Sequence, residues 1–203
     1  MLRKLVTAVT LLGTCCIVCS TEVFSLESSS ANCKLIEHDQ ANVKVEFYQV
    51  TGVSVSELRT EMDQKGPGQG LAKYDAYTKW RIDWNWPRPI SGKPIFSKTK
   101  VNYQITVVLP NWTSRENASK PLIEKWDNFL DKLCYHELGH IEHVTKNYQK
   151  IHQAISKRAL ENKELSTTEA NQIATNILKD IRRLDGLYDQ STKHGRTQGV
   201  KFP

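Results

Sequence analysis

The chain has 203 residues, 39% of them hydrophobic and 25% charged, which suits one soluble domain with a real core. Its 28 basic and 22 acidic residues give a formal net charge of +6. With no arginine-rich block and no nucleic-acid motif, that mild excess excludes a nucleic-acid-binding reading and describes a solvated basic surface.

In chain order, "MLRK" places Arg3 and Lys4 before the uncharged run "LVTAVTLLGTCCIVCS", Leu5 to Ser20. A basic start followed by a short apolar run reads as a secretory signal peptide over residues 1–20, cut before Thr21. The run is short for a membrane span, which takes about 20 residues. An anchor kept over residues 5–20 is the alternative, and the only membrane contact expected. The expected location is secreted or periplasmic. Cleavage removes Arg3 and Lys4, leaving 26 basic against 22 acidic residues, or +4. It also removes Cys15, Cys16 and Cys19, leaving Cys33 and Cys134 in a compartment that permits a disulfide. Two readings stay open, because sequence does not set connectivity. Either the pair is bonded, tying the N-terminal segment beside a histidine-bearing helix, or it is two separate buried thiols.

Residues 21–40 are polar and serine-rich and read as a flexible arm before a domain over 41–203. "NVKVEFYQVTG" alternates Val43, Val45 and Phe47, a strand pattern. "SVSE", Ser54 to Glu57, is a capping box that opens a short helix to about Gln64. "AYTKWRIDWNW" is a strand with Ala76, Thr78, Trp80, Ile82, Trp84 and Trp86 on one face. That face reads as core, with an exposed aromatic platform for glycan as the alternative. "KVNYQITVVLP" is a further strand, with Val101, Tyr103, Ile105, Val107 and Leu109 on one face and Pro110 as its stop. The three strands suggest a small antiparallel or mixed sheet.

The second half is helical. Pro121 suits a first turn, and Leu122, Trp126, Phe129, Leu130 and Leu133 form an apolar stripe that continues through Ile155. A second capping box, "STTE" at Ser166, opens a last helix with its stripe from Ala170 to Leu184. The tail from Gly186 reads as irregular.

The chemistry lies in "LCYHELGHIEHVTKN". Four helical residues turn about 400°, so His136 and His140 lie about 40° apart, one turn up. Their imidazoles can converge on one ion, with Glu137 at the edge of the same site. H-E-x-x-H at this spacing is a zinc motif in which the glutamate is general base to a zinc-activated water. A catalytic zinc needs a third protein ligand. His143 lies about 10 Å up the axis from His136, too far for one ion on an unbroken helix. Glu142 points away and His152 is farther still. His194 and Asp189, in the tail, remain.

The segments "YQVTG", "AYTKWRIDW", "VVLPNW", "HELGH" and "YDQSTKHGRTQG", in that order over about Val43 to Pro203, resemble the predicted secreted zinc-dependent proteases filed as domain of unknown function 922. Members usually carry a cysteine shortly before the "LP" strand. This chain has "GKPIFSKTKV" there, so that family disulfide is absent or rearranged. The resemblance implies that the tail belongs to the domain. His194 is then the expected third zinc ligand, with Asp189 behind it or in its place, and Tyr188 a candidate oxyanion donor ahead of Tyr135. Taken together, the expectation is a zincin-like α+β metallopeptidase, its sheet packed on the long motif helix with a further C-terminal helix. Zn²⁺ is the expected cofactor, held by His136, His140 and His194, and a peptide or protein the substrate. The backbone of Thr106, Val107, Val108 and Leu109 is expected to pair with that substrate as a sheet edge. The alternative is a secreted, zinc-stabilised binding module for cell-wall glycan or a protein partner, without catalysis.

Overall fold

The computed structural model describes residues 31–38, 42–68, 73–90 and 92–203. The signal segment over 1–20 and the first part of the expected arm lie outside the described residues. Among the described residues, no helix is long and apolar enough to cross a membrane.

Within the span read as an arm, the described residues are helical. Ala31–His38 forms helix α1, with Cys33 and Ile36 in the core. A disulfide joins Cys33 to Cys134, so of the two readings left open the bonded pair is the one present. It fastens α1 to the long helix two residues before His136. The bond spans 101 residues of sequence, and closing so long a loop restricts the unfolded chain strongly. Cys33→Ser is expected to cost about 2–5 kcal/mol of stability, read as a lowered denaturant midpoint. A midpoint equal in wild type and variant would count against that role.

Strands β1 (Val43–Val50), β2 (Tyr77–Asn85) and β3 (Lys100–Trp112) form one sheet in the order β1-β3-β2. It is mixed: β1 runs parallel to β3, and β2 antiparallel. Between β1 and β2 lies helix α2 (Val55–Lys65), capped as its box predicts, with the Ser54 hydroxyl accepting from the Glu57 amide. Pro110 does not end β3. The β2 ladder stops at Val108, so beyond it the proline nitrogen needs no partner on that side.

β3 is the central strand, which corrects one expectation. Thr106, Val107 and Val108 are paired to β1 on one side and β2 on the other, and Leu109 faces Phe47 of β1. The backbone of Thr106 to Val108 is consumed on both sides within the sheet and is no edge for a substrate. Trp80, Trp84 and Trp86 turn inward and pack on the core, not outward as a platform. The Trp84 indole donates to Asn171, and Trp86 packs edge-on against Phe96.

Helix α3 (Lys120–Thr145) crosses the sheet with Trp126, Phe129, Leu130 and Leu133 buried. The apolar stripe continues to Ile155, but the helix does not. It stops at Thr145, and α4 (Lys150–Glu161) starts after one turn. The Asn147 amide donates to the His143 carbonyl and so takes a bond the helix would otherwise use. Helix α5 (Thr167–Thr192) starts at its Ser166 cap and runs straight through Gly186, about two turns further than the sequence suggests. The remaining tail is not loose. A short 3-10 turn, Arg196–Gln198, leads to Val200 and Phe202, and the Phe202 ring lies 5.5 Å from Trp126 and 5.1 Å from Phe129. This aromatic cluster pins the tail against α3, beside the histidines.

Candidate metal centre

Helix α3 presents His136, Glu137 and His140 on the side facing β2 and α5, and all three are buried. Helix α5 brings Asp185 and Asp189, four residues apart and on one face, against them. The His136 and His140 Nε2 atoms are 3.3 Å apart, and each lies 3.2 Å from Asp189 Oδ1. The three form a near-equilateral triangle. His136 Nδ1 donates to the Gln198 amide oxygen at 2.9 Å, and His140 Nδ1 to Asp185 Oδ1 at 2.7 Å. With those protons on Nδ1, both neutral imidazoles turn bare Nε2 acceptors toward the carboxylate. Three acceptors then converge with no donor among them, an arrangement that needs positive charge at its centre. His136, His140 and Asp189 lie close enough together to hold a metal ion.

The supports are equally specific. Asp185 also accepts from the Trp80 indole at 3.1 Å, so both of its oxygens are engaged. A carboxylate in this position fixes the tautomer and ring orientation of His140. The sequence does carry its signal, in "DGLYD", but only if the helix is read past Gly186. Thr78, a polar residue on the buried face of β2, donates its hydroxyl to Glu137 Oε2 at 2.5 Å. A hydroxyl among buried apolar neighbours was the available clue.

Two expected site residues lie elsewhere than the sequence suggests. His194 is not among the groups that converge closely enough to hold one ion. Helix α5 carries Asp189 into the triangle, whereas His194 follows the helix end in a left-handed turn (φ 53°) and its side chain is 66% exposed. Its Nδ1 lies 3.5 Å from Asp189 Oδ1, at the rim of the cluster. Tyr188 packs against His136. Its ring stacks on His136 at 5.0 Å, its hydroxyl donates to the His136 carbonyl at 3.1 Å, and it does not line the main cleft. It braces His136 from outside the cleft. Gly139 makes room for it, since a Cβ there would overlap the Tyr188 ring and hydroxyl. Tyr135 is 52% exposed and also outside the cleft. His143 stays out of the triangle, as helix geometry requires. It sits on the far side of Asp185, with its Nδ1 3.5 Å from that carboxylate.

A family model for bacterial proteins of unknown function, DUF922, matches residues 45–195. The chain belongs to this family. The DUF922 match takes in the whole His136, His140, Asp185 and Asp189 cluster and stops short of Cys33 and Gln198. No curated protein and no solved structure matches the chain.

The electrostatics of this DUF922 site follow from its burial and its three carboxylates. Burial pushes the Glu137 carboxyl up, against the pull of His140, the Thr78 hydroxyl and His136. Burial alone would lower the His140 imidazole, but hydrogen bonds to Asp185 and Asp189 outweigh it and hold the metal-free group at about 10. Burial would raise Asp185 and Asp189, but their hydrogen bonds to the histidines hold both below the usual carboxylate range. Without a metal, a proton on His140 therefore supplies the missing positive charge. A histidine raised on folding contributes stability fully below its unfolded value, here 6.5, and loses that contribution as pH climbs toward about 10. The lowered carboxylates contribute above about 3.8 and lose their part as pH falls. The chelator-treated protein is thus expected to lose thermal stability between about pH 7 and 9, and the metal-loaded protein to lose much less. Parallel melting profiles with and without metal across that window would contradict the assignment.

Proposed function

We propose that the protein is a secreted zinc-dependent metallopeptidase, with zinc held by His136, His140 and Asp189. The single observation that carries the reading is the acceptor triangle with the buried Glu137 beside it, open to a cleft of about 1120 Å³. Tetrahedral zinc ligands at about 2.0–2.1 Å lie about 3.3 Å from one another, close to the sides of this triangle. Two histidines and one carboxylate leave a fourth position for chemistry. Zinc bound there supplies a Lewis acid that polarises a carbonyl and acidifies water.

The chain's own groups do the rest. Glu137 takes the proton of the attacking water and returns it to the leaving amine, and its upward-shifted carboxyl suits both directions. Thr78 holds one Glu137 oxygen and so aims the other. His194, at the rim beside Asp189, donates a hydrogen bond to the carbonyl oxygen as charge develops on it. The substrate-pairing role expected of β3 passes to β2. Consecutive residues from Ala76 to Trp80 line the cleft, and β2 has no partner on its outer side among the described residues. A strand that shows both faces to a cleft presents its edge, where an extended peptide can add. The Cys33–Cys134 disulfide supports an oxidising location.

The test is a mixed peptide library digested by the zinc-loaded protein and read by mass spectrometry. Cleavage is expected, lost on chelation and restored by zinc. A library left intact by fully zinc-loaded protein would overturn the proposal.

A further inference from the structure

The cleft carries charge that the metal cluster does not use. Its acidic side chains are all engaged. Asp63 and Asp75 are paired to Arg59, while Asp185 and Asp189 bond to the histidines and Glu137 to Thr78. Apart from Arg59 and Lys79, its basic side chains are not. Lys73, Arg182, Lys193 and Arg196 line the cleft, are exposed, and have no acidic partner among the described residues. Lys79 reaches Glu46 only at 3.7 Å.

An overall ratio of 28 basic to 22 acidic residues does not explain four unpaired cations and no unpaired anion around one cleft. Lys193 has a second use, since a cation at the end of α5 complements the helix dipole. Arg182, Lys73 and Arg196 have no such role, and Arg182 is held over the Trp80 ring at 5.7 Å. Even with Glu137, Asp185 and Asp189 all ionised, a divalent ion leaves them with a net charge of about −1, so the four rim cations set the sign of the cleft mouth. Along α5, Arg182 and Lys193 stand about 16 Å apart with the cluster between them, the length of about five extended residues.

From this arrangement we infer that the site selects peptides bearing a carboxylate within two or three residues of the scissile bond. The inference rests on the metallopeptidase reading and names its substrate class. Lys193 and Arg196 receive the carboxylate at one end of the cleft, Arg182 and Lys73 elsewhere along its rim.

The experiment measures binding to zinc-loaded protein of short peptide hydroxamates that differ at one position, two residues from the hydroxamate, as Glu, Gln or Lys. A fourth arm compares a free C-terminal carboxylate with its amide, to separate a side-chain acid from a chain end. The Glu peptide, or the free acid, is expected to bind about tenfold tighter than its neutral counterpart at low salt, with the Lys peptide weakest. The advantage should shrink to about twofold in about 0.5 M salt and in the double variant Lys193→Gln with Arg196→Gln. Arg182→Gln, on the opposite stretch of the rim, gives an independent second variant. Equal binding of the Glu, Gln and Lys peptides, with acid and amide also equal, overturns the inference and leaves the peptidase reading standing. No binding of any hydroxamate to protein shown by elemental analysis to hold zinc overturns both.

Discussion

Asp189→Ala is expected to leave the protein folded but without stoichiometric zinc, whereas His194→Ala keeps it. In the structure Asp189 Oδ1 is one corner of the acceptor triangle, 3.2 Å from both Nε2 atoms, while the His194 side chain lies 66% exposed at the rim. Loss of an outer partner of a zinc ligand costs about 10–100-fold in affinity, so loss of the ligand itself should exceed about 100-fold. Asp185→Asn then falls in that 10–100-fold range, because it keeps the shape but weakens the bond from His140. Competition with a chromophoric chelator, backed by elemental analysis, ranks all three. The assignment fails if His194→Ala releases zinc and Asp189→Ala retains it.

Glu137→Gln carries the largest effect on turnover. A positioned general base contributes about 10²–10⁴-fold, so kcat/KM should fall by that much while zinc affinity moves by less than about tenfold. The variant keeps an oxygen to accept from Thr78, so the local packing has no reason to change. Its stability makes a second check. A carboxyl whose pKa is raised by folding makes the fold less stable once pH exceeds its unfolded value, 4.5. Removing that buried charge should therefore leave the metal-free variant at least as stable as wild type at neutral pH. Peptide cleavage at an unchanged rate by Glu137→Gln would remove the proposed mechanism, and a collapsed melting temperature would show that Glu137 is needed for folding instead.

Much of the scaffold was legible because it rests on local chemistry. The Ser54 and Ser166 caps, the alternation along β2 and the apolar stripe of α3 appear as read, since each depends on residues within a few positions of one another. The reading failed where distant segments decide. Gly186 looked like the end of a helix, because glycine costs about 1 kcal/mol in a helix interior. Docking of α5 against α3, with Ile181 buried on one side of that glycine and Thr192 on the other, carries the helix through it. That one misjudged boundary hid Asp185 and left Asp189 in a loose tail, where the helix in fact brings it against His136 and His140. The role given to β3 failed for a related reason. Strand order is a property of the sheet, and the pattern of one strand does not tell whether it is central or at an edge.

The sequence by itself determined the pair of imidazoles and the carboxylate beside them, because the period of one helix brings His136 and His140 to one face and puts Glu137 at its edge. Tertiary structure decided everything that completes the site. Asp189 closes the triangle from a second helix, Thr78 reaches Glu137 from a strand 59 residues away, and Gln198 fixes His136 from a tail pinned by Phe202. The physical reason is that a metal ligand set must converge within a few ångströms in space. Spacing along the chain supplies that convergence only for residues that share a helix.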